Sequence, residues 1–419
     1  MIELIEKIEG EAKLDFHFNR DIISYVKIEF MSSRHIENIL KDKNALDALV
    51  INPRVCGICG HAHLIATVKA LESCYDNLQI SKKAKIIREL TLNFELIQNH
   101  FKWLYLVLLP LFGKKQNIYK ATYPSRLMAK AIATVAGQYP HNSYAIVGGV
   151  TSEVLQADLI KIDNIINETL YFYQRYVIDV NLKDFVQCED LDKILSQNGD
   201  LPELAHIIKK NHLEHIGKSY DRFIVFGENS YFRSGKANRT RITKKLHLRY
   251  LKESINKNSY AKNVQYKDRY FEVGPLSRAM INKTPLIKDV HRRFKDSMFS
   301  RILARICEIP QLLLHSQKLI QQIDLSEPSY IKPSKDISSI SGEGVGCVEA
   351  ARGSLIHQVK LQNGFIKDYQ IITPTQWNLS NGTILEPGVA QKAMIGLSDI
   401  KIAKQVFKSF DICSVCTTH

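Results

Sequence analysis

The stretch Asp411-Ile-Cys-Ser-Val-Cys-Thr-Thr-His419 closes the chain, and Arg54-Val-Cys56-Gly-Ile-Cys59-Gly-His-Ala-His63 stands near its start. Each carries two cysteines at C-x-x-C spacing. In the tail an aspartate lies two residues before Cys413 and a histidine three residues after Cys416. A terminus normally frays, so a tail loaded with ligands and proton carriers is expected to be held inside the fold. Two pairs from opposite ends then read as one four-thiol site, Cys56, Cys59, Cys413 and Cys416, that closes the whole fold.

Three chemistries use such pairs. Structural zinc sites are tetrahedral and closed, but their pairs usually lie ~15–20 residues apart, and here most of the chain intervenes. A thioredoxin-like motif needs one pair on a βαβ unit, a context neither pair has. A redox-active soft-metal site is the third, because thiolates favour nickel, copper, zinc or iron–sulfur iron. The nearby acid–base groups Arg54, His61, His63, Asp411 and His419 favour this last reading, while spacing alone leaves zinc and a redox metal as alternatives.

Composition narrows the class. A chain of 419 residues with 45% hydrophobic side chains is globular, with two or three subdomains around a sizeable core. The formal net charge is +14. Lysine and arginine occur in every region without an RNP, zinc-finger or helix-turn-helix pattern, so no nucleic acid partner is expected. A lysine-rich solvated surface or an acidic protein partner explains the charge better. The other four cysteines, 74, 188, 307 and 347, show no framework spacing. The N-terminus lacks a signal-peptide core, and the longest apolar run, Trp103 to Phe112, is too short to span a bilayer and contains Pro110. No transmembrane segment is therefore expected. The complex is expected in the cytoplasm or at a membrane through partners, and export bound to a signal-bearing partner stays compatible.

Periodicity sets the architecture. Residues 12–30 alternate apolar and polar around Asn19-Arg20-Asp21 and predict a β-hairpin. Arg34 to Leu49 predicts helix up to the breaker Pro53, and His63 to Tyr75 a second helix. Ser81 is an N-cap for a long helix reaching about Leu109. Arg126 to Ala136 predicts another helix, and Thr151 or Ser152 caps one more. Phe223 to Phe226 predicts a strand, and Leu286 to Ile323 a long helix broken at Pro310. Residues 343–376 predict a glycine-punctuated β unit with a turn at Asn363-Gly364. The expected fold is multi-domain α+β, a mainly helical central bundle with α+β segments at the N- and C-terminal ends. Its expected parts are a 1–60 segment with the first cysteine pair, a 61–180 helical core, a 181–285 mixed insert, a 286–330 helical core and a 331–419 β-rich unit with the cysteine tail.

The two cysteine segments together resemble those of the large subunit of [NiFe]-hydrogenases. Further stretches match in the same order: Ile8-Glu9-Gly10, Arg34-x-Ile-Glu37, Pro140-His141 with Gly148-Gly149-Val150, and Glu272-Val-Gly-Pro-Leu-Ser-Arg278. Gly342-Glu-Gly-Val-Gly346, Glu349-Ala-Ala-Arg352-Gly353 and Pro374-Thr-Gln-Trp-Asn378 complete the series. The resemblance covers essentially the whole chain.

The resemblance implies reversible cleavage of H2. It makes Cys56 and Cys413 terminal thiolates of nickel, and Cys59 and Cys416 thiolates bridging nickel to an iron that carries cyanide and carbonyl. Glu9 corresponds to a proton-accepting carboxylate, Arg352 to a guanidinium over the open metal positions, and Asp411 to its acidic neighbour. Glu37, the Ile371 backbone carbonyl and His419 correspond to a magnesium (or iron) site near the C-terminus; His63 and His100 correspond to histidines around the cluster. It also implies an iron–sulfur small subunit as partner in a heterodimer, since no cysteine set remains here for an electron relay, and maturation proteins to build the centre. Alternatives from the same resemblance are an H2-sensing regulatory subunit and a non-catalytic complex I-like subunit. The chain departs from the pattern at Ala351 and Ile412, where prolines are usual, at His35, where glycine is usual, and at the apolar run Leu106 to Leu109.

Overall fold

Ser81 begins the central helix as its position predicts: its hydroxyl accepts the Ala84 N–H at 3.0 Å, and the helix Lys82–Lys102 follows. A π-helical turn, Trp103–Leu108, and a short helical turn, Leu109–Leu111, extend it to the predicted end. The computed structural model describes residues 2–7, 10–255 and 259–413. The helices Ile118–Ala136, Gln156–Phe172 and Met298–Ile320 complete a bundle whose packed side chains form most of the main core. A second, smaller core gathers around Trp377, Phe226 and Tyr266.

Antiparallel sheets flank the bundle. Strands Ile2–Lys7, Gly10–Asn19 and Ile22–Phe30 form the first, and its second turn places Arg20 and Asp21 at φ 49° and 62°. Strands Gly342–Ala350, Gly353–Gln362 and Phe365–Ile372 form another, in sequence order. The first of these lies on the helix Gly60–Glu72. A Cβ at position 346 would stand 2.0 Å from the Ala66 carbonyl oxygen, so glycine is what lets helix and strand meet. That contact fixes the direction of the helix that follows the first cysteine pair.

Several expectations shift. Arg34 to Leu49 is not one helix but the helix Ile36–Leu40 followed by short turns. The helix expected from Arg126 starts at Ile118, capped by Asn117, whose side chain accepts from the Lys120 N–H at 2.9 Å. Thr151 and Ser152 cap nothing, because the next helix begins at Gln156. The break expected at Pro310 falls earlier: Pro285–Phe294 and Met298–Ile320 are separated at Lys295, with φ 59°.

The helix runs through Pro310 because its missing N–H is compensated. Proline cannot donate to the carbonyl four residues back, here that of Ile306. The buried Tyr173 hydroxyl donates to that carbonyl instead, at 3.0 Å. Tyr173→Phe should therefore leave the carbonyl unsatisfied and cost about 1–2 kcal/mol, read as a lower denaturant midpoint; an unchanged midpoint would show that the proline is tolerated without the tyrosine.

Candidate metal centre

Each cysteine is placed by a different local device. The turn Asn52–Val55 ends in Cys56, whose backbone is extended, and Cys59 stands at the N-cap of the helix Gly60–Glu72. Arg34 donates to the Arg54 carbonyl at 3.2 Å and to the Val55 carbonyl, which fixes the chain just before Cys56. The Ile58 and Cys59 N–H groups both point at the Cys56 sulfur, at 3.3 Å. Backbone donors and a helix N-terminus favour thiolate over thiol. From the other end, the helix Ile400–Ser409 delivers Cys413 through Asp411, whose backbone is left-handed at φ 56°.

The sulfurs of Cys56 and Cys413 are 3.6 Å apart, and with Cys59 they form one buried cluster. That separation is far beyond the ~2.05 Å of a disulfide. Among the described residues no three His, Cys, Asp or Glu groups already stand as a complete metal-binding set. The fourth thiol, Cys416, lies outside the described residues, as do Glu9 and His419.

Arg352 and Asp411 come together beside the sulfurs. Arg352 sits in the tight turn between Gly342–Ala350 and Gly353–Gln362, and its Nε is 3.2 Å from Asp411 Oδ2. Arg305 of the long helix pairs with the same carboxylate. Burial opposes the charge of Arg352. Asp411 and the sulfurs of Cys413, Cys59 and Cys56 outweigh burial and hold the guanidinium firmly protonated. Its buried Nη1 makes no hydrogen bond among the described residues. A permanent cation with a spare donor is therefore held next to the thiol cluster.

The turn that carries Arg352 is itself anchored. Arg278 donates to the carbonyls of Ala350 and Ala351 at 2.9 and 3.2 Å, to Glu349 at 3.1 Å, and to both oxygens of Glu308 at 2.7 and 2.6 Å. His100 Nε2 is 2.8 Å from Glu308. Burial lowers His100 to about 4, so the ring is neutral at pH 7 and donates from Nε2. The expected role of His100 at the cluster is thus indirect: it acts through Glu308, Arg278 and the turn.

Glu95, Arg305 and Glu308 do not stand out in the sequence. Glu95, fully buried, accepts the His61 and Ala62 N–H groups at 2.9 and 3.0 Å and so caps the helix after Cys59. Burial pushes its carboxyl up to about 8 despite those bonds. Arg305 and Glu308 lie three residues apart on the face that packs toward the site, a stripe that helical spacing could have revealed. His61 is lowered to about 4 by burial and held by Thr91 at 2.9 Å and Asn142 at 3.3 Å, which makes it a core residue. His63 Nδ1 is 3.0 Å from His357 Nε2. Arg54 is exposed and caps the Val50 carbonyl, so it is not an acid–base group of the cluster.

The second expected metal site looks different from the first. His35, at φ 52°, adopts the left-handed backbone that glycine usually supplies, and it opens the helix holding Glu37. Glu37 and Ile371 do meet, but through the Ile371 N–H, which donates at 2.8 Å. Lys262 donates to both Glu37 oxygens, at 2.9 and 2.7 Å. The carboxylate expected to bind magnesium already faces an ammonium.

Comparison with known proteins places this geometry in a class. The nickel-dependent hydrogenase family model matches residues 34–109 and 119–419. The chain belongs to that family, and its fold is that of a hydrogenase large subunit. It is 26% identical over 444 residues to the alpha subunit of sulfhydrogenase 1 from Pyrococcus furiosus, covering 100% of this chain and 97% of the relative. It is 22% identical over 498 residues to the periplasmic [NiFeSe] hydrogenase large subunit of Desulfomicrobium baculatum, covering 100% and 94%. The reduced Ni-Fe-Se hydrogenase of D. vulgaris Hildenborough superposes with a TM-score of 0.82 at 21% identity, over 100% of both chains, a likeness of fold.

The charge pairs make a pH prediction. Burial alone would raise Glu308, but Arg278 and His100 bring it down to about 2, below the ~4.3 of an unfolded glutamate. Its stabilisation is thus complete above about pH 4.3 and lost as pH falls toward 2. Glu308→Gln should lower stability by roughly 3 kcal/mol at pH 7, and its difference from wild type should narrow steadily below about pH 4.3. A difference constant down to pH 2 would contradict the ionised pair.

Proposed function

We propose that this chain is the catalytic large subunit of a hydrogenase that converts H2 reversibly into two protons and two electrons. The observation that carries this reading is the buried Cys56–Cys59–Cys413 cluster with the Arg352–Asp411 pair beside it. The donor set fits a soft metal: the thiols are buried, Cys56 is turned toward Cys413, and two N–H groups support its anionic form. Cys56 and Cys413 would hold nickel, and Cys59 with Cys416 would link nickel to an iron bearing cyanide and carbonyl. Such a centre, when bound, supplies the Lewis acidity and the electron sink on which H2 is cleaved.

The protein's own groups then have distinct tasks. Arg352 keeps a fixed positive charge beside the cluster, and the Asp411 carboxylate orients it. Arg305 holds Asp411 in turn. Glu9 takes a proton from a cysteine sulfur and passes it outward, a task that suits a carboxylate able to gain and lose a proton. The electrons leave through an iron–sulfur small subunit, because Cys74, Cys188, Cys307 and Cys347 are dispersed and form no metal-binding group among the described residues. For magnesium, Glu37 shares the Lys262 ammonium with Glu253, and Glu37 with His419 and the Ile371 carbonyl would hold the ion.

H/D exchange between H2 and D2O, measured on the purified heterodimer, tests this reading. Cys59→Ser should abolish nickel retention, since an alkoxide bridges soft metals poorly. Arg352→Lys should keep nickel and lose about a hundredfold in exchange, because an ammonium lacks the planar fork of donors. Wild-type exchange in both variants would reject the assignment.

A further inference from the structure

The positive charge of this chain is not evenly spread. Residues 233–269 contain twelve lysines and arginines against two carboxylates, Glu253 and Asp268. They account for ten of the fourteen excess positive charges of the whole protein. The segment folds into the short strands Gly235–Asn238 and Arg241–Thr243 and the hairpin of Leu251–Ser254 with Asn263–Tyr266. Most of its cations are exposed.

Their side chains converge rather than disperse. Arg249 and Lys267 lie over the Tyr250 ring at 4.9 and 4.3 Å, and Lys236 over Tyr266 at 5.5 Å. The two rings meet edge-on at 6.1 Å. Burial, and then the charges of Lys267 and Arg269, lower the proton affinity of Lys236, as expected where like charges crowd. Arg222 extends the group, stacked over Tyr220 at 4.7 Å. Crowded, exposed cations repel one another, and folding alone gives no reason to collect them.

A second feature adjoins the cations. Tyr220 donates to the Pro387 carbonyl at 2.6 Å, which fixes the 381–388 loop against this patch. That loop presents Ile384 at 73% and Leu385 at 97% exposure. Ile255, 85% exposed at the end of the hairpin, and Phe18 line a groove of about 810 Å³ with Ile384. Single exposed aliphatic residues are ordinary; several projecting beside a cluster of cations form the pattern of a surface that inserts between anionic headgroups.

We propose that this face docks directly on an anionic lipid bilayer, with the cation cluster on the headgroups and Ile384 and Leu385 dipping below them. A nucleic acid would answer the charge but not the projecting aliphatics, and an acidic protein would need its own apolar patch set beside its carboxylates, whereas an anionic bilayer presents both layers everywhere on its surface. No helix among the described residues is long and apolar enough to cross a membrane, so the contact is peripheral and reversible. It would hold the hydrogenase beside membrane electron acceptors without a spanning segment in this chain.

The test is co-sedimentation of the intact large–small subunit complex with vesicles of phosphatidylcholine alone or mixed with phosphatidylglycerol. Binding should require phosphatidylglycerol and weaken as salt shortens the screening length. Each cation near an anionic surface is worth about a fivefold change in partition. The R249E/K267E/R269E variant should therefore lose about a hundredfold in binding, with H2 activity in solution unchanged. Leu385→Ser, at a site with no packing to lose, should weaken vesicle binding several-fold at constant charge. Equal sedimentation with neutral and anionic vesicles would overturn the proposal. So would binding by L385S equal to wild type, or preference for polyglutamate or DNA over the anionic vesicles.

Discussion

The approach of two cysteine sulfurs from opposite ends of the chain to 3.6 Å is the constraint on which the rest of this structure depends. Once both have given up their protons to a metal, two buried thiolates at that distance would repel strongly in a medium of low dielectric. Something must therefore supply positive charge, and the protein supplies part of it before any metal arrives. The N–H groups of Ile58 and Cys59, the N-terminus of the helix Gly60–Glu72 and the guanidinium of Arg352 all face the sulfurs. A nickel–iron centre would complete the neutralisation. On this account the metal is also a clasp that ties the C-terminal tail to the first sixty residues.

A ring of buried ion pairs surrounds that clasp. The helix Met298–Ile320 contributes Arg301 to Glu272, Arg305 to Asp411 and Glu308 to Arg278, and Glu308 also accepts a hydrogen bond from neutral His100. Buried pairs give little net stability against an apolar core, but losing one partner is expensive. Their worth here is geometric. Each pair joins an element near the cluster to the helix Met298–Ile320, and Arg278 in particular grips the turn that presents Arg352. The glycine contact between helix and strand at Gly346 sets the same turn from its other side.

Much of this was legible in the sequence, and the reasons for the remainder are physical. Ser81, the β-hairpins and the strands around Asn363-Gly364 follow local rules, and the structure shows them where those rules put them. Cys56, Cys59, Cys413, Arg352 and Asp411 carried a recognisable pattern, and they do meet. The start of Ile118–Ala136 is masked in the sequence by Pro124 inside it, and Pro310 does not break its helix because of a remedy, Tyr173, that is remote in sequence. Glu95 and Lys262 were invisible for the same cause. Their meaning comes from partners far along the chain, and no local spacing announces a lysine that will sit on Glu37.

The most direct test of the central claim is infrared spectroscopy of the purified heterodimer, with nickel and iron measured on the same sample. The account predicts one nickel and one iron per large subunit at this cluster, with bands of metal-bound cyanide and carbonyl that vanish in a Cys56→Ser variant. Zinc in place of nickel, or the absence of those bands from a nickel-containing protein that turns over H2, would contradict it.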